Sequence, residues 1–362
     1  MFVFMSNASF YPLTVSEIRR LNKESVSITF SIPDNLKSTF QFISGQYLTI
    51  RSKTVGEEIR RSYSICSFEN GDTCTIGIKK VKDGVFSSYA NSVLKKGDIL
   101  EVMPPQGSFT IASSEHNHVV FFAAGSGITP ILSHIKSLLF NFSHTKVTLF
   151  FGNRNFESIM FREELEGLKN KFIDRFALYH VFSKEKIGLP IFHGRIDINK
   201  TKELVQTFLE NDEISHFLIC GPNEMVFSVR DGLLSKNISE NKIKFELFNV
   251  SNLKSIANPD ESLPHTPEII SNISIQMDGD IFEFELSSAG QNLLDAALEN
   301  GADLPFSCKG GVCSTCKAKV LKGNVRMDIN YALEPDEVEN GYILMCQSHP
   351  LSEDIYIDFD QK

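Results

Sequence analysis

Pro305-Phe306-Ser307-Cys308-Lys309-Gly310-Gly311-Val312-Cys313-Ser314-Thr315-Cys316 puts three cysteines within nine residues, and a fourth, Cys346, follows thirty positions later. The spacing is C-x4-C-x2-C…C. Four thiolates so arranged can hold two ferric ions bridged by two sulfides. Gly310 and Gly311 let the backbone fold tightly enough for its N–H groups to approach the sulfurs. Such hydrogen bonds, with net charge and exposure, set the potential of the cluster. The competing readings are a structural zinc site or four unrelated cysteines. Zinc favours paired short knuckles, whereas here one short pair exists and Cys346 stands alone. The [2Fe–2S] reading is preferred.

The other three cysteines are Cys66, Cys74 and Cys220. An odd count without a signal peptide does not suit a disulfide framework. Cys66 and Cys74 fall on or beside strands and read as structural. At 362 residues, with 42% apolar and 22% charged residues, the chain has the size of two or three ordinary globular domains. Its net charge of −9 argues against a nucleic-acid partner. That charge suits docking on a basic patch of a protein partner, and it is also ordinary solubility chemistry. The apolar start at 1–10 has no basic segment before it. The hydrophobic stretch 119–140 is interrupted by Gly125, Ser126, Gly127, Pro130, His134 and Lys136. A membrane span needs about 20 predominantly apolar residues, so no span is expected, and the expected location is cytoplasmic.

Upstream of the cysteine loop the rhythm changes twice. Residues 1–112 read as short strands (25–32, 46–51, 74–81) separated by turn signals at 70–72 and 96–98, the pattern of a small antiparallel β-barrel. From 113 to 250 buried strands at 119–124, 147–151, 177–182, 216–220 and 244–248 alternate with helices at 130–140, 157–171, 202–211 and 223–236. That alternation predicts an α/β doubly wound sheet. Residues 251–271 are polar and proline-containing and read as a linker. A third domain, 272–362, opens with a hairpin around Asp278-Gly279-Asp280. A short helix at 292–300 follows, then strands near 317–321, 342–345 and 355–359. The histidines show no metal spacing, and His116 and His118 read as a solvated loop.

Four further motifs carry chemistry. Arg61-Ser62-Tyr63-Ser64 ends a barrel strand, where an Arg fork can pair with phosphate, a Tyr ring can stack on a flat heterocycle and a Ser can hydrogen-bond a ring nitrogen. Gly84-Val85-Phe86-Ser87 opens a helix, a natural pyrophosphate site. Gly125-Ser126-Gly127-Ile128-Thr129-Pro130 follows a buried strand and starts a helix. Its glycines allow close approach to a dinucleotide, although Pro130 stands where the fingerprint has its last Gly. Cys220-Gly221-Pro222-Asn223-Glu224-Met225 ends a later strand. By itself each is weak; a lone buried Cys such as Cys220 is usually packing.

Residues 272–362 resemble a plant-type ferredoxin domain, an α+β β-grasp fold. Residues 1–250 resemble the ferredoxin–NADP reductase superfamily, with the motifs in that family's order. By that resemblance, Cys308 and Cys313 hold one iron, and Cys316 and Cys346 the other. Arg61 meets the flavin pyrophosphate, Tyr63 packs on the flavin and Ser64 lies near its N5. Gly84, Phe86 and Ser87 belong to the FAD pyrophosphate segment, which implies FAD rather than FMN. Gly125, Gly127, Thr129 and Pro130 form the nicotinamide-dinucleotide loop. Cys220, with Gly221, Pro222 and Met225, lies near the nicotinamide, and Ser64 and Cys220 are the residues expected at the hydride transfer. Phe248 covers the flavin ring or is a core phenylalanine. Arg154, Ser183 and Lys184 follow strands where a 2′-phosphate would sit, which favours NADPH over NADH, with Glu185 close by.

Gly194-Arg195-Ile196-Asp197 and Cys346-Gln347-Ser348 look like the branch that serves phenylacetyl-CoA epoxidases and other oxygenases. The resemblance implies an NAD(P)H-dependent reductase passing electrons through FAD and the cluster to a partner oxygenase, first a di-iron phenylacetyl-CoA epoxidase. A desaturase, ring hydroxylase or hybrid-cluster protein is the alternative acceptor, and a redox-sensing module without turnover the alternative class. No oxygenase ligand motif is present in the chain.

Overall fold

β1 (Tyr11–Asn22), β2 (Ser25–Ser31), β3 (Tyr47–Val55), β4 (Glu57–Ser64), β5 (Thr73–Lys79) and β6 (Ile99–Val102) form an antiparallel sheet ordered β4-β3-β6-β1-β2-β5. A bridge between Ile65 and Ile76, and the Cys66 N–H donating to the Thr75 carbonyl at 2.8 Å, bring the two edge strands together. The sheet thereby closes at that end into the expected barrel. Leu13, Ile28, Phe30, Leu48, Ile50 and Ile76 fill it. The helix α1 (Val85–Ser92) lies beside β5. This computed structural model describes residues 10–361 except 56, 70–72, 113, 115, 211 and 249–267. The apolar start through residue 9, the turn at 70–72 and the linker through 267 lie outside the described residues.

The second sheet is wholly parallel and ordered β11-β10-β7-β8-β9. Its strands are β7 (His118–Ala124), β8 (Lys146–Asn153), β9 (Phe176–Phe182), β10 (His216–Gly221) and β11 (Ile243–Leu247). Helices α2 (Ile128–Asn141) and α3 (Arg162–Lys171) cover the face carrying Phe121, Phe151 and Leu218. Helices α4 (Ile198–Leu209) and α5 (Asn223–Leu234) cover the face carrying Phe122, Phe150 and Ile219. Strands buried on both faces explain the unbroken apolar runs in the sequence. The chain order reverses between β7 and β10. Open α/β sheets bind ligands at such a switch point, in the crevice beyond the strands' carboxyl ends.

Two expectations are corrected here. The helix predicted over 157–171 begins only at Arg162. Residues Phe156–Ser158 make a separate turn capped by the Asn155 side chain, and Phe161 sits at φ 56°, in the left-handed region, which breaks the helical path. His118 is not in a solvated loop. It opens β7, is buried, and contacts the Asp212 carboxylate at 3.1 Å and the Thr148 hydroxyl at 2.9 Å, because β7 is the central strand and its first residue is already covered.

The third sheet is ordered β13-β12-β18-β14-β16. It comprises β12 (Ile270–Met277), β13 (Asp280–Ser287), β14 (Lys317–Lys322), β16 (Tyr342–Leu344) and β18 (Asp354–Asp358). A small ladder pairs β15 (Val325–Met327) with β17 (Ser348–Pro350). The β12–β18 pair is parallel and the others antiparallel. Helix α6 (Leu293–Glu299), capped by Asn292, buries Leu293, Leu294 and Ala297 on this sheet, and α7 (Pro335–Glu339) follows. A helix grasped by a mixed sheet is the expected β-grasp arrangement. β12 starts inside the stretch read as linker, since Ile270 already pairs with Ser287 and the Ser271 hydroxyl donates to the Ser352 carbonyl. Among the described residues no helix is long and apolar enough to cross a membrane.

Candidate electron-transfer site

Strand β4 ends in Arg61-Ser62-Tyr63-Ser64, and side chains alternate along it. Tyr63 points into the barrel and packs on Phe86, ring centroids 5.7 Å apart. The first two flavin motifs are thereby joined through one aromatic contact. Burial pushes the Tyr63 phenol upward, so it stays neutral. The Arg61 guanidinium donates to the Arg60 carbonyl at 2.7 Å. Gly84 caps α1. The Ser87 hydroxyl accepts from the Val81 N–H at 3.2 Å and donates to the Gly84 carbonyl at 3.3 Å, which shapes a tight turn. A Cβ on Gly84 would fall 2.4 Å from that hydroxyl and displace it from the turn. The first turn of α1 carries no acidic residue, and its free N–H groups suit an anion.

The opposite face of β4 carries Arg60, Ser62 and Ser64. The Ser64 hydroxyl donates to Glu246 Oε2 at 3.4 Å. Glu246 and Cys220 are register partners on β11 and β10. Burial raises the Glu246 carboxyl to about 8, and the Ser64 hydrogen bond only partly offsets it. Glu246 is half-buried, its carboxyl meeting the barrel through Ser64. Burial, then the charge of Glu246, pushes the Cys220 thiol well above the usual thiol range. Ser64 and the Glu246 carboxyl thus form a hydrogen-bonded pair, with the Cys220 thiol beside Glu246 in register, at the switch point. The sequence reading gave Glu246 no role; a carboxylate in the otherwise apolar Phe245–Leu247 stretch was the available signal.

The dinucleotide loop lies against the same strand end. Gly125 takes φ +55°, and a Cβ on Gly127 would sit 2.1 Å from the Cys220 carbonyl oxygen. The Thr129 hydroxyl donates to the Ser126 carbonyl at 3.0 Å, and Pro130 falls in the first turn of α2, where no N–H is needed. Pro222 caps α5, and the Met225 methyl closes on Gly221. The Lys79 amine, at the end of β5, lies 3.6 Å from where a Gly125 Cβ would be. Burial, then the neighbouring Arg154, lowers its pKa. Lys79 is a second residue that the sequence reading missed. Arg154 pairs with Glu24 of the barrel. Ser183 and Lys184 follow β9 beside it, the Lys184 N–H donating to the Arg154 carbonyl at 2.9 Å. Glu185 accepts from the Phe156 N–H at 2.7 Å. Asn153, buried at the end of β8, keeps an amide nitrogen without a hydrogen-bond partner. Phe248 is largely exposed just past β11.

At the cysteine loop the thiols touch in a chain, Cys313 to Cys308 to Cys346 to Cys316. The two pairs expected to share an iron are each in contact. Hydrogen bonds from Cys313 and Cys346, with backbone N–H groups of Gly310 and Val312, pull the Cys308 thiol down, whereas Cys313 and Cys346 are pushed up. The Gly310 N–H points at Cys308 Sγ at 3.3 Å, and Gln347 Nε2 lies 3.7 Å from Cys346 Sγ. Gly311, at φ +75°, would meet the Ile329 carbonyl at 2.8 Å with any Cβ. Among the described residues no three His, Cys, Asp or Glu side chains are arranged to hold a single metal ion. A linked set of four thiols with backbone donors fits a two-iron cluster instead.

The loop docks on the barrel. Arg60, buried, donates to the Leu304 carbonyl at 3.0 Å and to Asp303 at 2.7 Å, and stacks over Phe306 at 4.4 Å. The Lys244 amine lies 3.6 Å from Glu334, and Tyr331 packs on Phe227 of α5. A cavity of about 980 Å³ opens elsewhere, beside Phe40, His216 and Lys244, near the amino ends of β10 and β11 and apart from every motif.

Known protein families match each of the three domains. Residues 12–111 match the family described as oxidoreductase FAD-binding domain, 121–231 the oxidoreductase NAD-binding domain, and 275–351 the 2Fe-2S iron-sulfur cluster binding domain. One of the subunits of the 1,2-phenylacetyl-CoA epoxidase from Escherichia coli (strain K12) is 38% identical over 359 residues, covering 98% of this chain and 99% of that one. The chain belongs to the family of iron–sulfur flavoprotein reductases. It is an oxidoreductase with domains for FAD, a nicotinamide dinucleotide and a [2Fe–2S] cluster, built for electron transfer. The reductase is also 32% identical over 352 residues to the ferredoxin reductase component of 3-ketosteroid-9-alpha-monooxygenase from Rhodococcus rhodochrous, with 96% of each chain covered. Its fold matches the solved phthalate dioxygenase reductase with a TM-score of 0.60 at 21% identity, over 96% of this chain and 98% of that one.

Proposed function

We propose that the reductase takes electrons from NADPH and delivers them to a partner oxygenase of the phenylacetyl-CoA epoxidase type. The observation that carries this reading is the single face of β4. Its Ser64 reaches Glu246, next to Cys220, while its Ser62 and Arg60 reach the cysteine loop. When bound, the flavin takes up a hydride as an electron pair and releases the electrons singly, which matches a one-electron cluster.

The chain's own residues supply the rest. Gly84, Phe86 and Ser87 with Arg61 hold the FAD pyrophosphate, and Tyr63 supports the flavin. Gly125, Gly127, Thr129 and Pro130 hold the nicotinamide dinucleotide with Lys79. Gly221, Pro222 and Met225 hold Cys220 at the switch point, and Ser64 and Cys220 set the approach at the hydride transfer. Glu246, neutral at pH 7, keeps a proton beside Ser64. Arg154, Ser183 and Lys184 favour the 2′-phosphate of NADPH. Cys308, Cys313, Cys316 and Cys346 bind the irons. Domains divide near 112 and 250, the third opens near 270 where β12 begins, and the protein works in the cytoplasm. The acceptor class is proposed from the likeness to the relative from Escherichia coli, which is itself a subunit of such an epoxidase.

Anaerobic mixing with NADPH tests the reading. Flavin absorbance should bleach first and cluster absorbance second, and epoxidation of phenylacetyl-CoA by an added di-iron oxygenase should then require the reductase. A reductase that bleaches with NADPH but supports only a ring hydroxylase would overturn the partner assignment. No bleaching with either NADPH or NADH would leave the sensor alternative.

A further inference from the structure

Two hydroxyls of the barrel cross to the cysteine loop at its two ends. Ser62 Oγ donates to Ser307 Oγ at 2.8 Å, immediately before Cys308. The Tyr47 hydroxyl lies 3.0 Å from Thr315 Oγ1 and 3.3 Å from Ser314 Oγ, between Cys313 and Cys316. Both barrel residues belong to the flavin end of the sheet. Tyr47 on β3 is the register partner of Ser64 on β4, and Ser62 lies two positions before Ser64 on the same face. The Tyr47 ring has one seat. Its backbone exchanges hydrogen bonds of 2.8 and 3.0 Å with Gln106, and a Cβ on Gly107 would fall 3.0 Å from the ring. Tyr47, Ser307 and Thr315 are buried and Ser62 is half-buried, so the Tyr47–Thr315 contact is shielded from water and the pair of contacts fixes distance.

We propose that Tyr47 and Ser62 are the positioning residues that set the cluster loop against the flavin and so govern electron passage from flavin to cluster. This rests on the electron-transfer reading above. The contact carries one electron per crossing, from the reduced flavin, which is oxidised, to one ferric iron, which becomes ferrous. Two crossings, with a return of the iron to ferric by the acceptor between them, account for the electron pair of one hydride, and the accompanying proton leaves to solvent. Hydroxyl contacts suit this use better than an apolar seam, because they fix register over one or two atoms and remain reversible.

The test uses the holoprotein with Tyr47→Phe, Ser62→Ala and the double variant. In anaerobic stopped flow with NADPH, the flavin-bleaching phase should keep its rate. The cluster-reduction phase should slow between about two- and tenfold for each single change, as loss of one hydrogen bond implies, and more for the double. Amide hydrogen exchange over 305–316 should quicken in the same order. An unchanged cluster phase in the double variant, or an equal slowing of both phases, would overturn the proposal. If the double variant loses its cluster, Thr315→Val removes the Tyr47 contact from the other side and must give the same split. Exchange reads the contact without turnover. A wild type that fails to oxidise NADPH therefore counts against the electron-transfer reading alone.

Discussion

Replacing Glu246 by Gln should flatten the pH dependence of stability between about pH 5 and about pH 8. The carboxyl's ordinary value is 4.5, and its place between barrel and sheet raises it to about 8. Below the ordinary value the group is protonated in both folded and unfolded chains, and no pH dependence arises. Through the window the unfolded chain has released a proton that the folded chain keeps, so stability falls as pH rises, and the loss is complete above about 8. At about 1.4 kcal/mol per pH unit the whole window is worth about 5 kcal/mol. Part of Glu246 remains open to solvent, and screening reduces the figure to about 2 kcal/mol. Glutamine keeps the shape and the hydrogen bond from Ser64 but cannot ionise. The chain has no tryptophan, so urea unfolding is followed by far-ultraviolet circular dichroism at several pH values. The wild type should lose stability with rising pH, and Glu246→Gln should hold level and be the more stable above about pH 8. Parallel profiles for the two proteins would refute the reasoning, since they would mean that Glu246 ionises in the fold as it does in water.

Cys346→Ser should abolish iron and acid-labile sulfide while leaving the flavin bound, as metal analysis beside the visible spectrum would record. Gly127→Ala forces a methyl to within 2.1 Å of the Cys220 carbonyl; a loss of about 2 to 3 kcal/mol is expected, read as a lower urea midpoint together with weaker nicotinamide binding. Arg60→Ala removes the contacts to Asp303, the Leu304 carbonyl and the Phe306 ring. Because Asp303 is mostly exposed, the cost should be near 1 to 2 kcal/mol, seen as earlier melting of the cluster absorbance.

The three domains and the cluster-binding character of the last were legible in the sequence because each depends on local chemistry. Thiol spacing, glycines at tight turns, and a change from alternating to unbroken apolar runs all act over a few neighbouring residues. The late start of α3 and the burial of His118 were not legible. A left-handed Phe161 and a central position for β7 are set by packing from distant segments. Glu246, Lys79, Tyr47 and Ser62 belong to the same class. Each lies far in sequence from its neighbours: Tyr47 meets Thr315, Ser62 meets Ser307, Ser64 meets Glu246, and Lys79 lies beside the Gly125 loop. Sequence alone therefore determined which cofactors the chain is equipped to hold. Only the tertiary structure decided which side chains join the flavin end of the barrel to the cluster. Side-chain contact is fixed by strand register and domain docking, and neither leaves a periodic trace in the chain.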